Sequence, residues 1–168
     1  MSDYNIRQVR EDDRAAVMDI FNYFVENSFA AFPETRVSDD FFDVLKTMVR
    51  EQSFYVVESE ERKVVGFSIL RYYQRSLTFK EAAELTYFIL PEHTRRGLGK
   101  RLLEKMAIDA AGMGVTILLA EISSRNETSL NFHRRNGFRE CGRLAGVGRK
   151  QGQVFDVVWM QRPVSLPQ

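Results

Sequence analysis

The chain predicts one mixed α/β domain, a mostly antiparallel sheet of about seven strands flanked by helices. Three observations carry that expectation. An apolar run, Leu85 to Leu90, leads through Gly97-Leu98-Gly99 into an amphipathic stretch, Lys100 to Ala111, which is the order strand, tight turn, helix. Short strand-like segments bounded by polar turns surround it, in the pattern of a meander. Two helical stripes of apolar residues precede the meander.

Taken in order, Tyr4, Ile6 and Gln8 alternate against Asn5, Arg7 and Val9 in a first strand. Asp12 or Asp13 then caps a helix that carries Val17, Ile20, Phe21, Phe24 and Val25 on one face, and Ser38 caps a second with Phe41, Phe42, Leu45, Met48 and Val49. Phe54 to Glu58, Val64 to Tyr73 and Ala83 to Leu90 form the meander, with Glu60-Glu61-Arg62 as its first turn. The helix after the glycine turn shows Leu102, Leu103, Met106, Ala107 and Ala110 to the core and stops at Gly112 and Gly114. Val115 to Ile122 reads as a buried strand. Ser123 to Glu127 reads as a loop, followed by a short helix ending at Asn136-Gly137 and strands near Phe138 to Leu144 and Val154 to Gln161.

Composition narrows the function classes. A chain of 168 residues with 44% hydrophobic content fits one domain, assigned to 1–164 with a short tail at 165–168. A formal net charge of +1 offers no global field for nucleic acid or an anionic membrane, so neither is expected as a partner. The most apolar short stretch, Val115 to Ala120, falls far below the roughly 20 residues a membrane span needs. Met1 to Val9 lacks the apolar core of a signal peptide, and lone Cys141 has no partner for an intramolecular disulfide, so a cytoplasmic protein is expected. His93, His133 and Cys141 make no metal-ligand cluster, and no metal is expected.

The glycine turn is the sharpest chemical signal. Glycines there permit positive φ and close ligand approach, while the first N–H groups of the following helix and its positive dipole end face the same point. Arg95, Arg96, Lys100 and Arg101 flank it, which suits a pyrophosphate. No Gly-Lys-Ser/Thr follows, which disfavours a P-loop nucleotidase, and the third glycine of a dinucleotide fingerprint is missing. Glu84 opens an otherwise apolar strand and reads equally as a solvent-facing strand end or as a cleft carboxylate with a raised pKa. Asn126, Ser129 and His133 share a helical face; Asn126 also suits an N-cap, and His133 also reads as a packed helix residue. Tyr23, Phe29, Phe32, Tyr72, Tyr73 and Phe79 are candidates for a pocket wall, with Arg75 or Lys80 to pair a substrate carboxylate. Cys141 has no neighbouring base in sequence and reads as a packed thiol, against a cysteine acyl-enzyme.

Across nearly the whole chain these residues resemble the GNAT acyltransferase superfamily and, within it, the phosphinothricin-type amino-acid N-acetyltransferases. The superfamily's cofactor signature resembles Arg/Gln-x-x-Gly-x-Gly/Ala; the window here is Thr94-Arg95-Arg96-Gly97-Leu98-Gly99, with Thr at the first position. The branch is identified by Asn126-x-x-Ser129-x-x-Phe132-His133, Gly137-Phe138, Gly142, Gly148-Arg149-Lys150-x-Gly152 and Asp156-Val157. Phe21-Asn22-Tyr23 with Glu26-Asn27-Ser28 resembles its first helix, and Glu84-Leu85-Thr86 its active-site strand.

The resemblance implies a GNAT fold, splayed where acetyl-CoA binds, and direct acetyl transfer to the amine of a small amino acid or analogue in a ternary complex. Glu84 is then the base and His133 the acid for the leaving thiolate. The cofactor site is Phe88, Ile89, Leu90, Arg95, Arg96, Gly97, Leu98, Gly99, Lys100, Asn126 and Ser129, with the Phe88 or Ile89 N–H on the thioester carbonyl. The amine side is Phe29, Tyr73, Arg75, Phe79 and Lys80. The branch also implies a homodimer, for which the two aromatic-rich helices and the C-terminal strands offer surface. Acetylation of a protein N-terminus or a polyamine, and a non-catalytic acyl-CoA sensor, are the alternatives.

Overall fold

The computed structural model describes residues 3–164; the tail expected at 165–168 lies outside the described residues. Its strands are β1 (Asn5–Gln8), β2 (Val49–Glu58), β3 (Val64–Tyr72), β4 (Ala82–Ile89), β5 (Ile117–Ser123), β6 (Arg139–Lys150) and β7 (Gln153–Pro163). Its helices are α1 (Arg14–Asn27), α2 (Phe41–Met48), α3 (Leu98–Gly112) and α4 (Glu127–Arg135). The strands form one seven-stranded sheet in the order β1-β2-β3-β4-β5-β7-β6, and every pairing except β4 with β5 is antiparallel. The fold class expected from sequence is therefore the one observed.

Each face of the sheet has its own core. Leu98, Leu102, Leu103, Met106 and Ala110 of α3 and Leu130 of α4 pack on Leu85, Leu118 and Ala120. On the other face Val17, Ile20 and Phe21 of α1 and Phe42 and Leu45 of α2 cover Phe67, Ile69 and Phe88. The alternation of side chains along β4 sends Leu85 to the first core and Phe88 to the second.

Three local expectations change. Asp13 does not cap α1 with its side chain; its carboxylate turns back to accept the Arg10 N–H at 2.7 Å and a two-pronged contact from Arg7, which fixes β1 to the start of α1. Ser38 does not cap α2 either: its carbonyl accepts the Phe41 N–H, and Asp40 stands at the helix entry without a side-chain bond. Strand β6 runs to Lys150 instead of ending near Leu144. Its register with β7 shifts between Leu144 and Gly148, where Gly146 takes φ +65°, so the glycines beyond Leu144 make a bulge inside a longer strand.

The end of β6 reaches across to the connection between α1 and α2. Buried Lys150 donates from Nζ to the carbonyls of Ser28 (2.8 Å) and Ala31 (2.7 Å). Phe32 stacks on Phe155, and Phe155 lies where a Cβ at Gly148 would stand, 2.2 Å from the ring. These contacts hold residues 28–33 over the open end of the sheet.

Candidate active site

Strands β4 and β5 pair only through Ala82, Ala83 and Glu84 against Ile117, Leu118 and Leu119, and beyond Glu84 they diverge. The Leu90 N–H donates to the Val65 carbonyl, so by the alternation of an antiparallel ladder the peptide groups of Phe88 and Thr86 also face β3. Those of Leu85, Tyr87 and Ile89 face the side that β5 has left. Of the two N–H groups expected from sequence to meet a carbonyl, Ile89 points into the gap and Phe88 points away from it.

A cavity of about 270 Å³ occupies this region. Glu84, Tyr87 and Phe88 of β4, Arg71 of β3, Glu121 of β5, Asn126, Ser129 and His133 line it, as do Ala30 to Pro33 and the α2 side chains Phe41, Leu45 and Met48. A larger groove of about 670 Å³ beside Arg7, Asp12, Asp19 and Lys63 contains none of these convergent groups and belongs to the outer surface near α1.

Glu84 is 5% exposed. Burial pushes its carboxyl up to about 7, with Glu121 adding to the rise and Arg71 opposing it. Arg71 stands directly across from it in the β3–β4 register and donates from Nη2 to Oε2 at 3.2 Å. Burial pushes Glu121 up as well, against the pull of Arg71. The strand-end residue that read two ways in the sequence is thus a buried carboxyl in a cavity, its pKa raised by desolvation.

His133 is 3% exposed and its two nitrogens are engaged. Nδ1 meets the Ser129 carbonyl at 2.7 Å, and because a carbonyl only accepts, Nδ1 carries the proton. Nε2 is then an acceptor, taken by the Tyr87 hydroxyl at 2.5 Å, with the two rings stacked at 5.6 Å. Burial holds the His133 pKa down and the Tyr87 pKa up, so both groups stay neutral in this pairing. Asn126 accepts the Ser129 N–H at 3.2 Å, the N-cap bond expected for α4.

On the α3 side the turn from 94 to 99 alternates backbone hand. Arg95 takes φ +60° and Gly97 φ +77°, with an ordinary helical start at Leu98. A Cβ at Gly97 would meet nothing within 4 Å, so what favours glycine there is φ and not space. Gly99 packs against the Phe132 ring, 3.2 Å from where its Cβ would be. The α3 N-terminus, with Lys100 exposed beside it, has the form of an anion nest. Arg101 is turned elsewhere: it donates to the Tyr4 carbonyl and anchors the first strand.

The residues expected on the amine side are not gathered in the cavity. Arg75 donates to the Thr47 carbonyl and lies over the Tyr72 ring, Lys80 is exposed, and Tyr73 and Phe79 pack on each other, with Tyr73 also against Trp159. Phe29 packs on Phe155 beneath the Arg125 guanidinium. Sequence reading missed Arg71 and Glu121. Each is a lone charge next to apolar residues, Ile69 and Leu70 before one and Ala120 and Ile122 around the other, and that interruption was the available signal.

A sheet opened between two parallel strands, with a helix N-terminus at one side and a buried carboxylate of raised pKa at the other, is an arrangement suited to group transfer. The profile of the Acetyltransferase (GNAT) family matches residues 17–138, and the chain belongs to that family. It is 30% identical over 162 residues to the L-amino acid N-acyltransferase MnaT of Escherichia coli, covering 94% of this chain and 92% of that one. It is 29% identical to the phosphinothricin N-acetyltransferase of Alcaligenes faecalis, covering 95% and 82%. The fold matches the GNAT superfamily phosphinothricin acetyltransferase of Sinorhizobium meliloti, solved in complex with AcCoA, at TM-score 0.88 and 23% identity over 98% of this chain and 93% of that one. The enzyme class expected from sequence, an N-acetyltransferase, stands. Among the described residues no helix is long and apolar enough to cross a membrane, and no group of metal-ligating side chains converges.

Proposed function

We propose that the protein transfers the acetyl group of acetyl-CoA to the primary amine of a small amino acid or analogue, of the phosphinothricin, methionine sulfone or methionine sulfoximine type, by direct transfer in a ternary complex. The observation that carries this reading is Glu84, a buried carboxyl of pKa about 7 at the point where β4 and β5 part. The names of the relatives in Escherichia coli and Alcaligenes faecalis support the substrate class.

In this reading the pyrophosphate sits on the N–H groups of residues 96–100, with Arg95, Arg96 and Lys100 adding charge. The pantetheine arm follows the open edge of β4 along Phe88, Ile89 and Leu90, opposite Asn126 and Ser129. The Ile89 N–H polarises the thioester carbonyl. Glu84 takes the ammonium proton, directly or through water, the amine attacks the carbonyl carbon, the C–S bond breaks, and coenzyme A leaves as thiolate. His133 enters as a positioning residue rather than the acid expected from sequence. A neutral ring protonated at Nδ1 offers only a lone pair at Nε2, and Tyr87 takes it. As the tetrahedral adduct collapses its nitrogen gives up a second proton, and that proton, relayed through water, turns the departing thiolate into the thiol.

A homodimer in the cytoplasm completes the proposal; the dimer is supported by exposed Leu144 and Val147 on edge strand β6 and exposed Val154 on β7. The test is thiol release from acetyl-CoA over a panel of amino acids, their sulfone, sulfoximine and phosphinate analogues, polyamines and short peptides. Turnover of one or more amino acids or analogues is expected; binding of acetyl-CoA with no amine acetylated would overturn the proposal in favour of a sensor.

A further inference from the structure

Resting on that reading and narrowing it, we infer that the substrate is an α-amino acid whose side chain is uncharged, of the methionine sulfone or sulfoximine kind rather than phosphinothricin, with Arg71 holding its carboxylate and Glu121 excluding a second anion. The cavity's charges sit together at the strand ends. Arg71 and Glu84 face each other across β3 and β4, guanidinium beside carboxylate. An α-amino acid carries the complementary pair, carboxylate and ammonium on one carbon. The recorded bond to Glu84 uses a single N–H of a guanidinium that has five, so the same fork reaches a substrate carboxylate while Glu84 faces the amine.

The remaining lining decides the side chain. Glu121 adds a second carboxylate to the cluster, and among the described residues that line the cavity Arg71 is the sole Lys or Arg. Once the α-carboxylate has taken it, a phosphinate or side-chain carboxylate would meet Glu121 with no cation to offset it. Away from the cluster the walls are Phe21, Phe32, Phe41, Leu45 and Met48, which suit an apolar or neutral polar side chain. Arg75 and Lys80, the cations expected here from sequence, lie outside the cavity lining.

The experiment compares kcat/KM for methionine, methionine sulfone, phosphinothricin and glutamate, and for 3-(methylthio)propylamine, which is methionine without its carboxylate. In the wild type we expect the neutral amino acids to exceed phosphinothricin and glutamate by at least tenfold. Glu121→Gln should narrow that gap by tenfold or more. Arg71→Gln should raise KM for methionine at least tenfold while leaving that for the amine within threefold, and comparing two substrates within one variant cancels any effect on Glu84 or on folding. Phosphinothricin used as well as methionine sulfone, or equal loss on methionine and its amine in Arg71→Gln, overturns the inference while leaving amino-acid acetylation intact. Failure to acetylate any amino acid would instead overturn the reading on which it rests.

Discussion

The turn at residues 94–99 and the cavity at Glu84 serve the same reaction and are made in opposite ways. The turn is six consecutive residues at the surface, and its chemistry is mostly backbone: two positive-φ residues, Arg95 and Gly97, and the N–H groups of a helix start. The cavity is made of single side chains from β3, β4, β5, α2, α4 and the connection between α1 and α2, most of them withdrawn from solvent. Water screens the charges of the turn, so each is worth little alone. In the cavity the same charges shift one another's pKa. Damage to the turn should therefore weaken coenzyme binding, and damage to the cavity should slow the chemical step.

The largest effect separates these two. Glu84→Gln removes the proposed base, and kcat should fall by about 10²–10⁴ with the KM for acetyl-CoA little changed, read by steady-state thiol release. A comparable loss in KM alone would erase the contrast. In the wild type kcat/KM should fall as pH drops through about 7, where Glu84 protonates, and this limb should vanish in Glu84→Gln. Stability moves the other way. A carboxyl whose folded pKa lies above its unfolded value favours the native state at low pH, and that benefit is lost as pH rises toward 7. The variant should thus lose less thermal stability than the wild type between pH 5 and 8.

Gly97→Ala tests the other region. Holding a non-glycine residue at φ +77° costs about 1–2 kcal/mol, so the KM for acetyl-CoA should rise roughly 5- to 30-fold while kcat changes far less. His133→Asn tests a residue on the border of the two. As a positioning residue it should cost kcat several-fold and leave the pH limb near 7 in place, because Glu84 owns that limb. A fall of 10² or more would restore it as a proton donor.

The contrast also explains what the sequence disclosed. The turn could be read because its residues are adjacent and its two glycines answer to local φ and packing. The strands near Glu84 could be read from their apolar runs. The cavity could not, because Arg71 and Glu84 are opposed only through strand register, and Glu121 joins them only because β5 runs parallel to β4. The cations chosen from sequence, Arg75 and Lys80, stand near Glu84 in the chain, but the 3-10 turn at Leu77–Phe79 and the return of the chain leave them outside the cavity lining. Likewise Lys150, part of a motif legible as a family landmark, serves residues more than a hundred positions earlier through carbonyl contacts that no local pattern encodes.

The smallest expected effect bears on the route of the acetyl group. A transfer by way of the enzyme needs a nucleophile in the cavity, and the chain's lone thiol, Cys141, lies exposed on edge strand β6 with its Sγ against the Trp159 carbonyl at 3.4 Å. It is not among the residues that line the cavity, so it lacks the position of a catalytic thiol. Cys141→Ser should leave kcat and both KM values within twofold, and double-reciprocal plots for acetyl-CoA at several amine concentrations should intersect in wild type and variant alike. Parallel lines, together with loss of turnover in the serine variant, would mean that an acetyl-enzyme forms, and would remove the reason for placing amine and thioester in one cavity at once.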